Sequence, residues 1–195
     1  MVSMPTRRDF LKYGGAVICG LAFPNLALIE SGNTESRHIN HSNETVEILM
    51  RSDPTGADVW FDPIGILIQP GQTVRWRIEA GVHTATAYHP RNSNHSLRIP
   101  LNAKPWDSGY LVNPGDYFEM TLPIEGVYDY YCMPHEMAGM VGRIVVGKPV
   151  GPGTLPFDYF RGRPEAATWE PVPEAAQKEF PSVNQIMKDK IVHRR

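Results

Sequence analysis

Between Thr45 and Lys148 apolar and polar residues alternate in short runs rather than recurring every three to four positions. Thr73-Val-Arg-Trp-Arg-Ile78 alternates strictly, the mark of a strand with one face in water. Val46–Met50, Gly65–Ile68, His83–Tyr88, Tyr117–Leu122, Val127–Tyr131 and Val141–Val146 are further predicted strands. Pro70-Gly71 and Pro114-Gly115-Asp116 separate runs as turns. Seven or eight short strands without a helical period predict an all-β sandwich. Tyr130 and Tyr131 are neighbours on one predicted strand, so only one ring should point inward. Trp60, Trp76 and Trp106 are expected in the core.

The pattern changes on both flanks. Ser31–Glu44 is polar and reads as a linker. Pro149–Arg195 is proline-rich, yet Phe157, Tyr159, Phe160, Trp169 and Phe180 need cover, so this extension should lie back over the sandwich. Ser182 and Gln185 have the spacing of a capping box, and Val183, Ile186, Met187 and Ile191 share a stripe. Together they predict a terminal helix from Val183 to Val192. Near the start, Thr6-Arg7-Arg8-Asp9-Phe10-Leu11-Lys12 followed by the uncharged Tyr13–Ile29 resembles a twin-arginine export signal. The apolar stretch suits a signal and is short for a membrane span. It contains no clean small-x-small cleavage site, so removal and retention as a membrane tether are both compatible with it. The expected location is the periplasm or the outer face of the cytoplasmic membrane. The resulting division is 1–31 signal, 32–44 linker, 45–148 sandwich and 149–195 extension.

Composition narrows the partners and the chemistry. Among 195 residues, 19 Lys and Arg face 21 Asp and Glu, a net charge of -2, which leaves no basic excess for nucleic acid. Two cysteines, Cys19 and Cys132, exclude a disulfide scaffold and a four-thiolate metal site. Once the signal is removed, Cys132 stands alone in an oxidising compartment, where something must bury or occupy it. The segment Cys132-Met-Pro-His135-Glu-Met137-Ala-Gly139-Met140 puts a thiolate, an imidazole and thioethers in one loop. Soft sulfur with imidazole selects copper or zinc, and a thioether serves as the weak axial ligand of a blue-copper centre rather than as a zinc ligand. Such a centre needs a second imidazole from another strand. His83 is the best placed, and Met137 is an alternative to Met140 as the axial group. His89 and His95 read as solvated loop residues, and His38 and His41 as linker residues of weak metal affinity.

Tyr131-Cys132-Met-Pro-His135, with Gly139-Met140 after it and His83 placed 49 residues before Cys132, resembles the ligand loop of plastocyanin-type cupredoxins. The resemblance covers roughly Thr45–Lys148. It implies a Greek-key sandwich holding one type 1 copper, with His83, Cys132 and His135 equatorial and Met140 axial. Thr84 stands where the family usually has an Asn that ties the ligand loops together. The acidic patches of plant plastocyanins are missing, since His89–Tyr110 carries Arg91, Arg98 and Lys104 against Asp107. The implied function is one-electron transfer by copper cycling between Cu(I) and Cu(II), without enzymatic activity. The alternative is a copper-binding subunit or copper-delivery module of a larger exported oxidase or reductase system. Redox partners would dock transiently near His135, whose imidazole edge is the expected electron exit, and Tyr131 is the second exit candidate.

Overall fold

A computed structural model describes residues 44–194. The predicted export signal, with Cys19, and the linker residues His38 and His41 lie outside the described residues. Among the described residues nine strands form two sheets. The first contains β1 (Thr45–Ser52), β2 (Val59–Asp62), β4 (Thr73–Ile78) and β6 (Tyr117–Thr121), in the order β2-β1-β4-β6. The second contains β3 (Gly65–Ile68), β5 (Thr86–Ala87), β7 (Gly126–Tyr131), β8 (Val141–Val146) and β9 (Ile191–Val192), in the order β5-β7-β8-β3-β9. β1 runs parallel to β4 and β3 parallel to β8, so the chain crosses between the sheets as a sandwich requires. Ile48, Met50, Phe61, Trp76, Ile78, Tyr130 and Ile144 fill the space between them.

The two outer faces differ. On the first sheet the strict alternation of β4 leaves Arg75 and Arg77 outside, where they pair with Glu119 (2.7 Å) and Glu47 (2.9 Å). On the second sheet β7 and β8 are buried at every position, because the extension forms a third layer. Its helices α1 (Glu174–Glu179) and α2 (Val183–Asp189) bring Val172, Ala176 and Phe180 against Tyr88, Tyr131 and Val141, and Ile186 against Val127 and Val145. Tyr130 and Tyr131 do face opposite ways, but both rings are therefore buried. Tyr130 reaches so close to β8 that a Cβ on Gly142 would collide with its hydroxyl.

Under this third layer sits a buried ion cluster. Asp129, fully buried on β7, accepts from Arg98 (2.8 Å) and from Arg143 (2.7 and 3.0 Å). The remaining guanidinium donors go to extension carbonyls: Arg98 to Gly153 and Leu155, Arg143 to Pro181. Phe157 and Phe180 cover the two guanidinium planes. Arg98 is therefore an anchor for the extension and not part of a surface patch.

Several local expectations are corrected. His83–Tyr88 is a strand only at Thr86–Ala87, because the amides of Thr84 and Ala85 are given to Cys132 Sγ and Ser108 Oγ instead of a ladder. Trp60 lies on the outer face of β2, where Arg51 and Arg194 stack on it. The terminal helix starts as the capping box predicts, with Ser182 Oγ accepting from the Gln185 amide. It ends at Asp189, since Lys190 has φ +67° and Ile191 and Val192 pair with β3.

Candidate metal centre

The centre lies at one end of the sandwich, where β7 ends and the Met133–Ala138 3-10 turn leads into β8. Pro134 starts that turn and Gly139 ends it at φ +83°, a conformation that disfavours any side chain. Backbone bonds fold the segment onto itself: His135 N donates to Cys132 O, Met140 N to His135 O and Cys132 N to Met140 O. The third contributor comes from the segment after β4, where His83 bridges to Leu111.

His83, Cys132 and His135 converge. The Nδ1 atoms of His83 and His135 lie 3.6 and 3.4 Å from Cys132 Sγ, and one ligand atom from each residue lies within 4.8 Å of the others. Met140 is fully buried in the same core cluster as Cys132. Met137 is 74% exposed, which sets it apart from Met140 as an axial group. His83 Nε2 is turned away from the sulfur toward Ala80 O (2.9 Å) and Ser52 Oγ (3.0 Å), which fixes the ring so that Nδ1 faces inward.

The protonation states suit a soft cation. Burial and the neighbouring His135 push the pKa of His83 down to about 4, and burial lowers that of His135. Both rings are thus neutral at neutral pH, with lone pairs free. Burial pushes the Cys132 thiol up to about 11, so without a cation it stays protonated and inert. A bound metal ion reverses that preference and takes the sulfur as thiolate. Two neutral imidazoles and one thiol around a single point, in a water-poor pocket with a thioether residue buried beside it, fit copper.

Thr84 supplies the tie between the ligand loops. Its amide donates to Cys132 Sγ (3.3 Å), and its hydroxyl accepts from Met133 N (2.8 Å) and contacts Thr86 Oγ1 (3.0 Å). The departure from Asn thus keeps the connection. On the turn that carries the half-exposed His135, Met133 and Met137 are exposed, and the exposed Tyr110 reaches Met133 Sδ at 3.9 Å. Tyr131, the other exit candidate, is 1% exposed and lies beneath the extension.

Three residues near the centre escaped the sequence. Glu136 is buried and accepts from Tyr88 Oη (2.6 Å) and His95 Nε2 (2.9 Å). His95 is not a solvated loop residue: its ring stacks on Tyr131 at 4.5 Å and 17°. Burial alone would lower the pKa of His95, but Glu136 and the carbonyls of Ser93 and Asn92 outweigh it and raise it. A Glu beside a ligand His was a visible signal, but partners 41 and 48 residues away were not.

Fold and site together define a copper-binding sandwich protein. The family model described as copper binding proteins, plastocyanin/azurin family, matches residues 47–147, and the chain belongs to this family. Its cofactor is a single type 1 copper. A chloroplastic plastocyanin of Chlamydomonas reinhardtii is 30% identical over 135 residues, covering 67% of this chain and 80% of that protein. A plastocyanin of Nicotiana tabacum is 28% identical over 101 residues, 52% of this chain and 99% of its own. The chloroplastic plastocyanin of Hordeum vulgare is 30% identical over 91 residues, 47% of this chain, and the match spans 57% of that relative's length. Among solved structures, a pseudoazurin from Sinorhizobium is 24% identical, with 75% of this chain and 98% of that chain covered and a TM-score of 0.48.

Proposed function

We propose that this protein is a one-electron carrier and not an enzyme, with His83, Cys132 and His135 as equatorial ligands and Met140 as the axial ligand of its copper. The observation that carries the reading is the convergence of His83 Nδ1 and His135 Nδ1 on Cys132 Sγ from two separate segments. A copper ion held by these residues supplies a Cu(I)/Cu(II) couple.

The chain's own contribution is to hold one geometry for both states. His83 is fixed by Ala80 and Ser52 through its far nitrogen. Cys132 is fixed by its backbone bond to Met140 and by the Thr84 amide on its sulfur. Burial keeps His83, Cys132 and Met140 from solvent. Little therefore has to move when the charge changes, which favours fast transfer. Electrons pass by the half-exposed edge of His135 to redox proteins that dock briefly on the apolar surface around it. The buried ligands favour a carrier over a delivery module, which has to release its metal.

The N-terminal motif supports export by the twin-arginine route to the periplasm or the outer face of the cytoplasmic membrane, with residues 1–31 as signal or tether. Residues 45–148 form the copper domain and 149–195 its extension. The ligand assignment is tested by loading the protein and its Cys132→Ser variant with Cu(II). The parent should turn intensely blue from thiolate-to-copper charge transfer and the variant should stay colourless; a blue variant would overturn it.

A further inference from the structure

We propose that Glu136 is a positioning residue for His135: its carboxylate, gripped by Tyr88 and His95, sets the shape of the ligand loop before any metal arrives. The inference rests on the copper reading for its meaning, but its geometry is independent of the metal.

Glu136 sits between His135 and Met137 in a turn whose other side chains are largely exposed, yet it is only 9% exposed. Burying a carboxylate is costly unless its oxygens are satisfied. Here each oxygen has its own donor, Oε1 from Tyr88 and Oε2 from His95. Both donors are fixed. Tyr88 is fully buried, its amide donating to Asp129 O and its carbonyl accepting from Arg98 N. His95 is stacked on Tyr131, with Nδ1 at 3.2 Å from Asn92 O. The Glu136 carbonyl also takes the amide of Gly139, one residue before Met140. The extension backs the loop there, since a Cβ on Gly139 would lie 2.8 Å from Glu179 Cγ. An apolar residue at position 136 would fill the space without a desolvation cost. A doubly bonded carboxylate instead specifies one position of the turn that carries His135. An amide keeps its oxygen for Tyr88 but can meet His95 only by donating to a neutral ring whose Nε2 accepts, so the charge-assisted contact is lost.

The test compares wild type with Glu136→Ala, Glu136→Gln and Tyr88→Phe. In the metal-free proteins, amide hydrogen exchange of Met133–Met140 is measured, with the amides of β1 and β4 as internal reference. Glu136→Ala should speed exchange in the loop at least about tenfold relative to that reference, and Glu136→Gln and Tyr88→Phe by less. In the copper-loaded proteins the same series should shift the reduction potential and the ratio of the thiolate-to-copper bands, with Glu136→Gln closest to wild type. Unchanged loop exchange together with unchanged bands in all three variants would overturn the proposal. If Glu136→Ala does not fold, the two milder variants decide. A wild type that fails to bind copper would sink the copper reading while leaving the exchange result standing.

Discussion

The pocket has two flanks, and they are built differently. Beside His135 the turn is open, with Met133 and Met137 exposed and the exposed Tyr110 against Met133. Beyond Cys132 on the other side, Tyr131 lies under His95, Val172, Ala176 and Phe180 and is closed off from solvent. The difference is the work of the extension, which covers Tyr131 with a third layer while leaving Met133 and Met137 of the His135 turn exposed. An adjacent Tyr-Cys pair therefore does not by itself present an exposed ring edge: what covers the tyrosine decides.

The contrast is most strongly tested at the anchor of the third layer. Asp129→Ala leaves Arg98 and Arg143 buried without their counter-ion, and should cost about 3–5 kcal/mol in urea unfolding. A loss below about 1 kcal/mol would mean that the extension is held elsewhere.

The neutral state of the buried imidazoles gives a pH signature. Unfolded histidine takes up a proton near pH 6.5 whereas folded His83 resists until about 4. Within that window the unfolded chain binds more protons, so stability of the metal-free protein falls as pH drops from 6.5 to 4. His135 acts in the same sense. His95, raised by Glu136, acts oppositely, its contribution fading at higher pH. Denaturant melts of wild type and His83→Asn across this range should converge toward pH 4; parallel curves would contradict the assignment.

The open flank can be probed by electron self-exchange between two copies of the protein. Met137→Lys puts like charges on the two approaching patches and should slow self-exchange about tenfold at low salt, with recovery at high salt. Glu170→Lys, beside His95, should leave it unchanged. The reverse ranking would move the exit to the closed flank. The smallest effect belongs to the wet face of the first sheet, where Arg75→Ala removes an exposed pair with Glu119 and should cost less than about 1 kcal/mol by the same urea unfolding.

What the sequence made legible follows from range. The alternation of β4, the turn residues and the compact Cys132–Met140 motif are local signals, and they located the sandwich and the turn on which Cys132 and His135 converge with His83. β2 went unseen because the outward-facing Trp60 hides the alternation of Val59–Asp62, and α1 because its six residues carry no side-chain cap. The burial of Tyr131, the inward turn of Arg98 and the Glu136–His95 contact depend on chain segments far apart in sequence. Trp60 was misplaced for a related reason: its cover comes from Arg51 and from Arg194 near the far end of the chain.

The central claim is that one copper ion, held by His83, Cys132, His135 and Met140, exchanges one electron. Reductive titration of the copper-loaded protein tests it most directly. The account predicts one equivalent of electrons per chain, with the blue colour bleaching in proportion and returning on reoxidation. A colour that persists through reduction, or an uptake other than one electron, would contradict it.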